Sequence, residues 1–155
     1  MTLRSAAKKT AKKRTAGAKA NAAAKSSAGK KLKPAAGADF AAIFSALKSV
    51  MAARAGELHV AADEPRKYYV VTKSLSWKGG PMYFGAVIWG KAYVSYHLMP
   101  LYVCPELAKT ISPELKRRMQ GKSCFNFRSR DEALFAELDD LTKSGVEAFR
   151  GRSLL

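Results

Sequence analysis

The stretch Met82–Pro100, Met-Tyr-Phe-Gly-Ala-Val-Ile-Trp-Gly-Lys-Ala-Tyr-Val-Ser-Tyr-His-Leu-Met-Pro, constrains the fold most, because β-branched and aromatic residues flank a Gly-Lys pair as in a β-hairpin. Gly90 at the head of a two-residue loop predicts a type II′ turn, whose twist suits the flanking strands. In that register Trp89 faces Ala92, Val87 faces Val94, Gly85 faces Tyr96 and Tyr83 faces Leu98, all on one side. This side is the predicted core, with Gly85 leaving room for Tyr96. The other side sets Met82, Phe84, Ala86 and Ile88 across from Met99, His97, Ser95 and Tyr93, and it too is apolar. A sheet covered on one side only is polar on the other, so this second face either receives a further element or binds something.

Charge divides the chain. Residues 1–38 hold 11 of the 28 Lys and Arg and none of the 12 Asp and Glu. Their Ala, Lys, Ser, Thr and Gly cannot bury enough surface to offset the entropy of ordering, which predicts a disordered Lys/Ala-rich basic tail. Residues 39–155 then form one compact domain. The tail cations Lys8, Lys9, Lys12, Lys13 and Arg14 stand in text similar to the arms of linker histones, and predict sequence-independent nucleic-acid binding through counterion release. No apolar stretch suffices for a membrane span and no secretory h-region opens the chain, so no membrane partner and a cytoplasmic location are expected. Cys104 and Cys124 have no close-spaced partner, which suits a reducing compartment.

Along the chain, Asp39 is a candidate N-cap for a helix whose face carries Phe40, Ile43, Phe44, Leu47, Val50 and Met51, with Gly56 as its stop. Glu57–Val60 and Tyr68–Thr72 read as strands about an Asp63-Glu64-Pro65 turn, before the central hairpin. Ser112-Pro113-Glu114 opens a short basic helix ended by Gly121, and Lys122–Phe127 reads as a fifth strand. Ser129-Arg130-Asp131-Glu132 matches a capping box for a last helix through Leu134, Leu138, Leu141 and Phe149, with Gly145 as a weak point. The predicted class is α+β: one small domain, an antiparallel sheet of about five strands, and helices packed on one face.

The phrases Ser95-Tyr96-His97-Leu98-Met99-Pro100 and Met119-Gln120-Gly121-Lys122-Ser123-Cys124-Phe125-Asn126-Phe127 resemble the YdhG-like family, the domain of unknown function 1801, over roughly residues 39–149. The resemblance implies a small α+β domain similar to frataxin in fold, and iron handling as an alternative function. Frataxin-type iron binding uses carboxylates on the first helix, where this sequence has Asp39 followed by Lys48 and Arg54.

Gly121-Lys122-Ser123 lacks the glycine five residues earlier that a phosphate loop needs, since that position holds Lys116, and it follows a helix. A helix C-cap leading into a strand is the reading it supports. Lys116, Arg117, Arg118 and Lys122, with Arg128 and Arg130, form a candidate anion or nucleic-acid patch. His59, His97, Cys104 and Cys124 are metal-ligand types without ligand spacing, so no metal or other cofactor is expected. Cys104-Pro105-Glu106 predicts a helix start that would lower a thiol pKa. Ser95 and His97, two apart on one strand, cannot pair for nucleophilic catalysis, and Glu132, Glu137, Asp139, Asp140 and Glu147 read as a solvated helix face. The sequence therefore favours a non-enzymatic binding module for an unknown ligand or protein partner. Its candidate ligand face is Trp77, Phe84, Ile88, Tyr93, Ser95 and His97, and its cover is to be sought in the segment 101–127. Full cover makes His97 a core histidine; partial cover leaves a pocket.

Overall fold

The structure, a computed structural model, describes residues 39–75 and 78–155. The predicted tail cations and Trp77 lie outside the described residues.

Helix α1 spans Phe40–Ala52. The Asp39 carboxylate accepts from the Ala42 N–H at 3.0 Å, satisfying one donor of the first turn. Ile43, Phe44, Leu47 and Met51 are its buried stripe. The helix gives way to turns from Ala53, before the expected stop at Gly56. Strands β1 (Leu58–Glu64), β2 (Lys67–Thr72), β3 (Tyr83–Trp89) and β4 (Val94–Leu98) follow. Then come α2 (Pro100–Val103), a 3₁₀ turn (Pro105–Lys109), α3 (Pro113–Lys116), β5 (Cys124–Phe127) and α4 (Glu132–Gly151). All five strands pair antiparallel in chain order, so the α+β class expected from the sequence is the class observed.

The central hairpin forms, in a different register. Trp89 pairs with Val94, Val87 with Tyr96 and Gly85 with Leu98, so β4 is slid by two residues from the predicted alignment. Because side chains alternate with a period of two, this slip changes every partner and leaves every face unchanged. Its origin is the turn: the Gly90 N–H donates to the Tyr93 carbonyl at 3.0 Å, which centres the loop on Lys91 and Ala92. Gly90 does not take a positive φ, so the type II′ turn is absent. The glycine serves close approach, since a Cβ there would sit 3.2 Å from the Tyr93 carbonyl oxygen.

A second departure decides which residues face the core. Val70 pairs with Gly85 but Val71 with Tyr83, so Phe84 is an extra residue in β3. This bulge turns Phe84 to the helix side, where it is fully buried and its ring meets Phe149 edge-on at 5.3 Å. Tyr83 is turned to the opposite face and stacks on Tyr69 at 4.8 Å. Strict alternation predicts the reverse for both. Phe84 is thus a core residue, not a member of the ligand face. Gly85 makes room for α1 as well as for its own sheet: a Cβ would lie 2.7 Å from Met51 Cε and from the His97 carbonyl.

On the helix side, buried Tyr96 and Thr142 meet through their hydroxyls at 2.6 Å, and Thr142 donates onward to the Leu138 carbonyl. Phe127 packs edge-on against Phe135 at 5.1 Å. Helix α4 starts two residues later than the Ser129 box predicts, because Asp131 is the cap and accepts from the Leu134 N–H. Gly145 is a contact point rather than a weak point: a Cβ there would stand 2.9 Å from Pro100 Cγ, so its absence lets α2 lie against α4. No helix among the described residues is long and apolar enough to cross a membrane.

Candidate functional site

Among the described residues, every helix docks on one side of the sheet. Met51 of α1 lies under Gly85, Thr142 of α4 meets Tyr96, Pro100 of α2 abuts Gly145, and Ser112, capping α3, bonds Glu137 of α4. The segment after Pro100 therefore packs against α4 and does not cover the second sheet face. Among the described residues that face carries no helix.

Its side chains stand in cross-strand rows. One row runs Lys67, Ile88, Ser95, Asn126; the next runs Tyr69, Ala86, His97, Cys124, with Tyr83 stacked beside Tyr69. Ser95 donates to Asn126 Oδ1 at 2.9 Å, and Asn126 Nδ2 donates to Gln120 Oε1 at 2.6 Å. The backbone of residues 118–120 runs along the outer edge of β5, with Asn126 N–H bonded to the Arg118 carbonyl and Gln120 N–H to the Cys124 carbonyl. That pairing closes the sheet edge and brings the basic segment to the face.

Ile88, Tyr93, Ser95 and His97, predicted as ligand residues, share this face. Ile88 is 38 % exposed, Ser95 is buried, and Tyr93 and His97 are half-buried. The predicted basic patch divides. Arg117 and Arg118 line a cleft of about 500 Å³ with Tyr93, Gln120, Asn126 and Arg128. Arg117 is bonded to Glu114 at 3.0 Å, whereas the side chains of Arg118 and Arg128 have no hydrogen-bond or ion-pair partner among the described residues. Lys116 and Lys122 line a different cavity of about 590 Å³ beside Tyr102, and Lys122 Nζ lies 5.6 Å from that ring.

Sequence reasoning missed Tyr69, Tyr83 and the pairing of Cys124 with His97. Their Sγ and Nδ1 atoms are 2.9 Å apart across β4 and β5. Burial holds the His97 pKa below the usual histidine value, so the ring is neutral near pH 7. Tyr83 is shifted upward, first by burial and then by neighbouring Tyr69 and Cys124. Cys104 departs from its expectation: it has no exposed surface, precedes a 3₁₀ turn rather than an α-helix, and burial raises its thiol pKa despite Arg152 Nη1 at 3.0 Å. Helix α1 itself carries no carboxylate, and no group of three or more His, Cys, Asp and Glu among the described residues is arranged to hold a metal ion.

Fold and face together define a two-layer α+β domain in which one sheet face carries no helix among the described residues and is bordered by arginines. Comparison with models of known families, with curated proteins and with solved structures finds no match to this chain.

Proposed function

We propose that the protein is a single-stranded nucleic-acid-binding module, with the open sheet face as its platform. The observation that carries this reading is Tyr93, which stands in one cleft with Arg117, Arg118 and Arg128 beside a face bearing Tyr69 and Tyr83. Unpaired bases offer flat apolar faces that stack on tyrosine, and the phosphates between them are met by guanidinium groups. A duplex keeps its base faces stacked inside and presents only phosphates and groove edges, so it leaves the tyrosines unused. The basic tail carries charge of the same sign and would add phosphate contacts of its own without adding sequence preference.

Fluorescence anisotropy of labelled oligonucleotides on the full chain tests the reading. Tyr93→Ala should weaken single-strand binding by about 1–3 kcal/mol, the worth of one stacked base, and leave the salt dependence unchanged. Replacing Lys8, Lys9, Lys12, Lys13 and Arg14 by Gln should instead flatten the salt slope, by about 0.7 for each phosphate that is no longer neutralised. Unchanged single-strand affinity in both Tyr93→Ala and the Arg118→Gln, Arg128→Gln pair would refute the proposal for the face.

A further inference from the structure

We propose that Cys124 is a thiol-modification site, with His97 as its base, that forms mixed disulfides with small disulfide compounds. The geometry points to it. Strand register sets the two residues directly opposite each other, and Cys124 Sγ lies 2.9 Å from His97 Nδ1, within reach for the thiol to donate to an unprotonated Nδ1. A nucleophile and a base held within hydrogen-bond reach are the arrangement that activates a thiol, because the thiolate and not the thiol attacks sulfur. Neutral His97 is the form able to accept that proton. The pair lies on the helix-free face, and Cys124 is partly exposed. The groups around it are Tyr83 on β3 and Ser123, whose hydroxyl is 4.0 Å from the sulfur.

The reaction balances without a metal or an outside electron carrier. Cys124 Sγ attacks one sulfur of the small disulfide, a new S–S bond forms and the old one breaks. The thiol proton passes to His97 Nδ1 and from there to the departing sulfur, or to water where that sulfur leaves as a stable thiolate. Cys104 is the chain's other cysteine, and it is enclosed beside Arg152 without exposed surface. It is not placed to resolve the mixed disulfide, so the adduct persists until an external thiol removes it. None of this depends on what binds the face.

The test follows release of the coloured thiolate from 5,5′-dithiobis(2-nitrobenzoate) by the full chain at neutral pH, with peptide mapping to locate the adduct. An unassisted thiol reacts only through the few per cent of it that is ionised at that pH, whereas a thiol whose proton is taken by a positioned base during the attack is not held to that fraction. The folded protein should show one reacting thiol, Cys124, at about tenfold or more the rate of the same chain unfolded in urea. Cys124→Ser should abolish that phase, and His97→Gln, with folding checked by circular dichroism, should bring it to the unfolded-chain rate or below. A folded-state rate no greater than the unfolded one would overturn the proposal, as would an unchanged rate in folded His97→Gln. Should His97→Gln fail to fold, the comparison of folded and unfolded wild type decides alone.

Discussion

Phe84 and Tyr83 are adjacent, and strict alternation and the β3 bulge assign them opposite fates. Phe84 is fully buried, with its ring against Phe149 and its edge near Gly145. Truncating such a residue removes its transfer free energy and leaves a cavity, which together cost about 3–5 kcal/mol. Tyr83 is half-buried and stacks on Tyr69 at 4.8 Å, so Tyr83→Ala removes one aromatic pairing worth about 1 kcal/mol and opens no enclosed cavity. For a domain of this size 1 kcal/mol moves the melting temperature by about 4 °C, so Phe84→Ala should lower it by about 12–20 °C and Tyr83→Ala by about 4 °C. Calorimetry and urea unfolding followed by circular dichroism measure both. If Tyr83→Ala proves as costly as Phe84→Ala, the bulge is absent, the alternation of the sequence holds through β3, and Phe84 returns to the ligand face.

Two further outcomes follow from the same structure. Thr142→Val should cost about 1–3 kcal/mol by leaving the buried Tyr96 hydroxyl with only Met51 Sδ at 3.9 Å, while Tyr96→Phe should cost about 1 kcal/mol because Thr142 keeps the Leu138 carbonyl; urea titration in which Tyr96→Phe is the worse would contradict this assignment. His97 has a folded-state pKa below its unfolded value, so the unfolded chain binds the proton first and stability falls as pH drops below about 6.5. His97→Gln should flatten that part of the stability profile, and an unflattened profile measured by thermal melts would show that the ring is not desolvated.

The parts legible in the sequence were those set by local patterns. Asp39, the stripe of α1, Pro113 after Ser112, and the strand-forming text of β2 and β4 each act within a few residues, and each appears where expected. The hairpin partners were not legible, because Gly90 has two possible uses, a positive φ or a close approach, and the chain employs the second. Phe84 was misassigned for a different reason: a bulge depends on what the helix layer needs to fill, here the space beside Phe149, and no local pattern encodes that. Cys124 and His97 are 27 positions apart, and their meeting required the β4–β5 register. Four residues of β5 do not specify it.

An apolar second face demands a covering segment only when its side chains are counted singly, and the cross-strand rows show why no such cover is required. Short residues lie between taller ones across the strands: Tyr69 and His97 flank Ala86, which is 1 % exposed, and Ile88 and Asn126 flank Ser95, which is 9 % exposed. The small side chains are shielded by their neighbours, while the tall ones end in an ammonium, a hydroxyl, an imidazole or an amide, with Ile88 the apolar exception. Segment 100–118 is committed to α4 instead. The same packing bears on the proposed single-strand platform: Ala86 and Ser95 are already filled in between taller neighbours, so a base stacked on Tyr93 would add contact without displacing them.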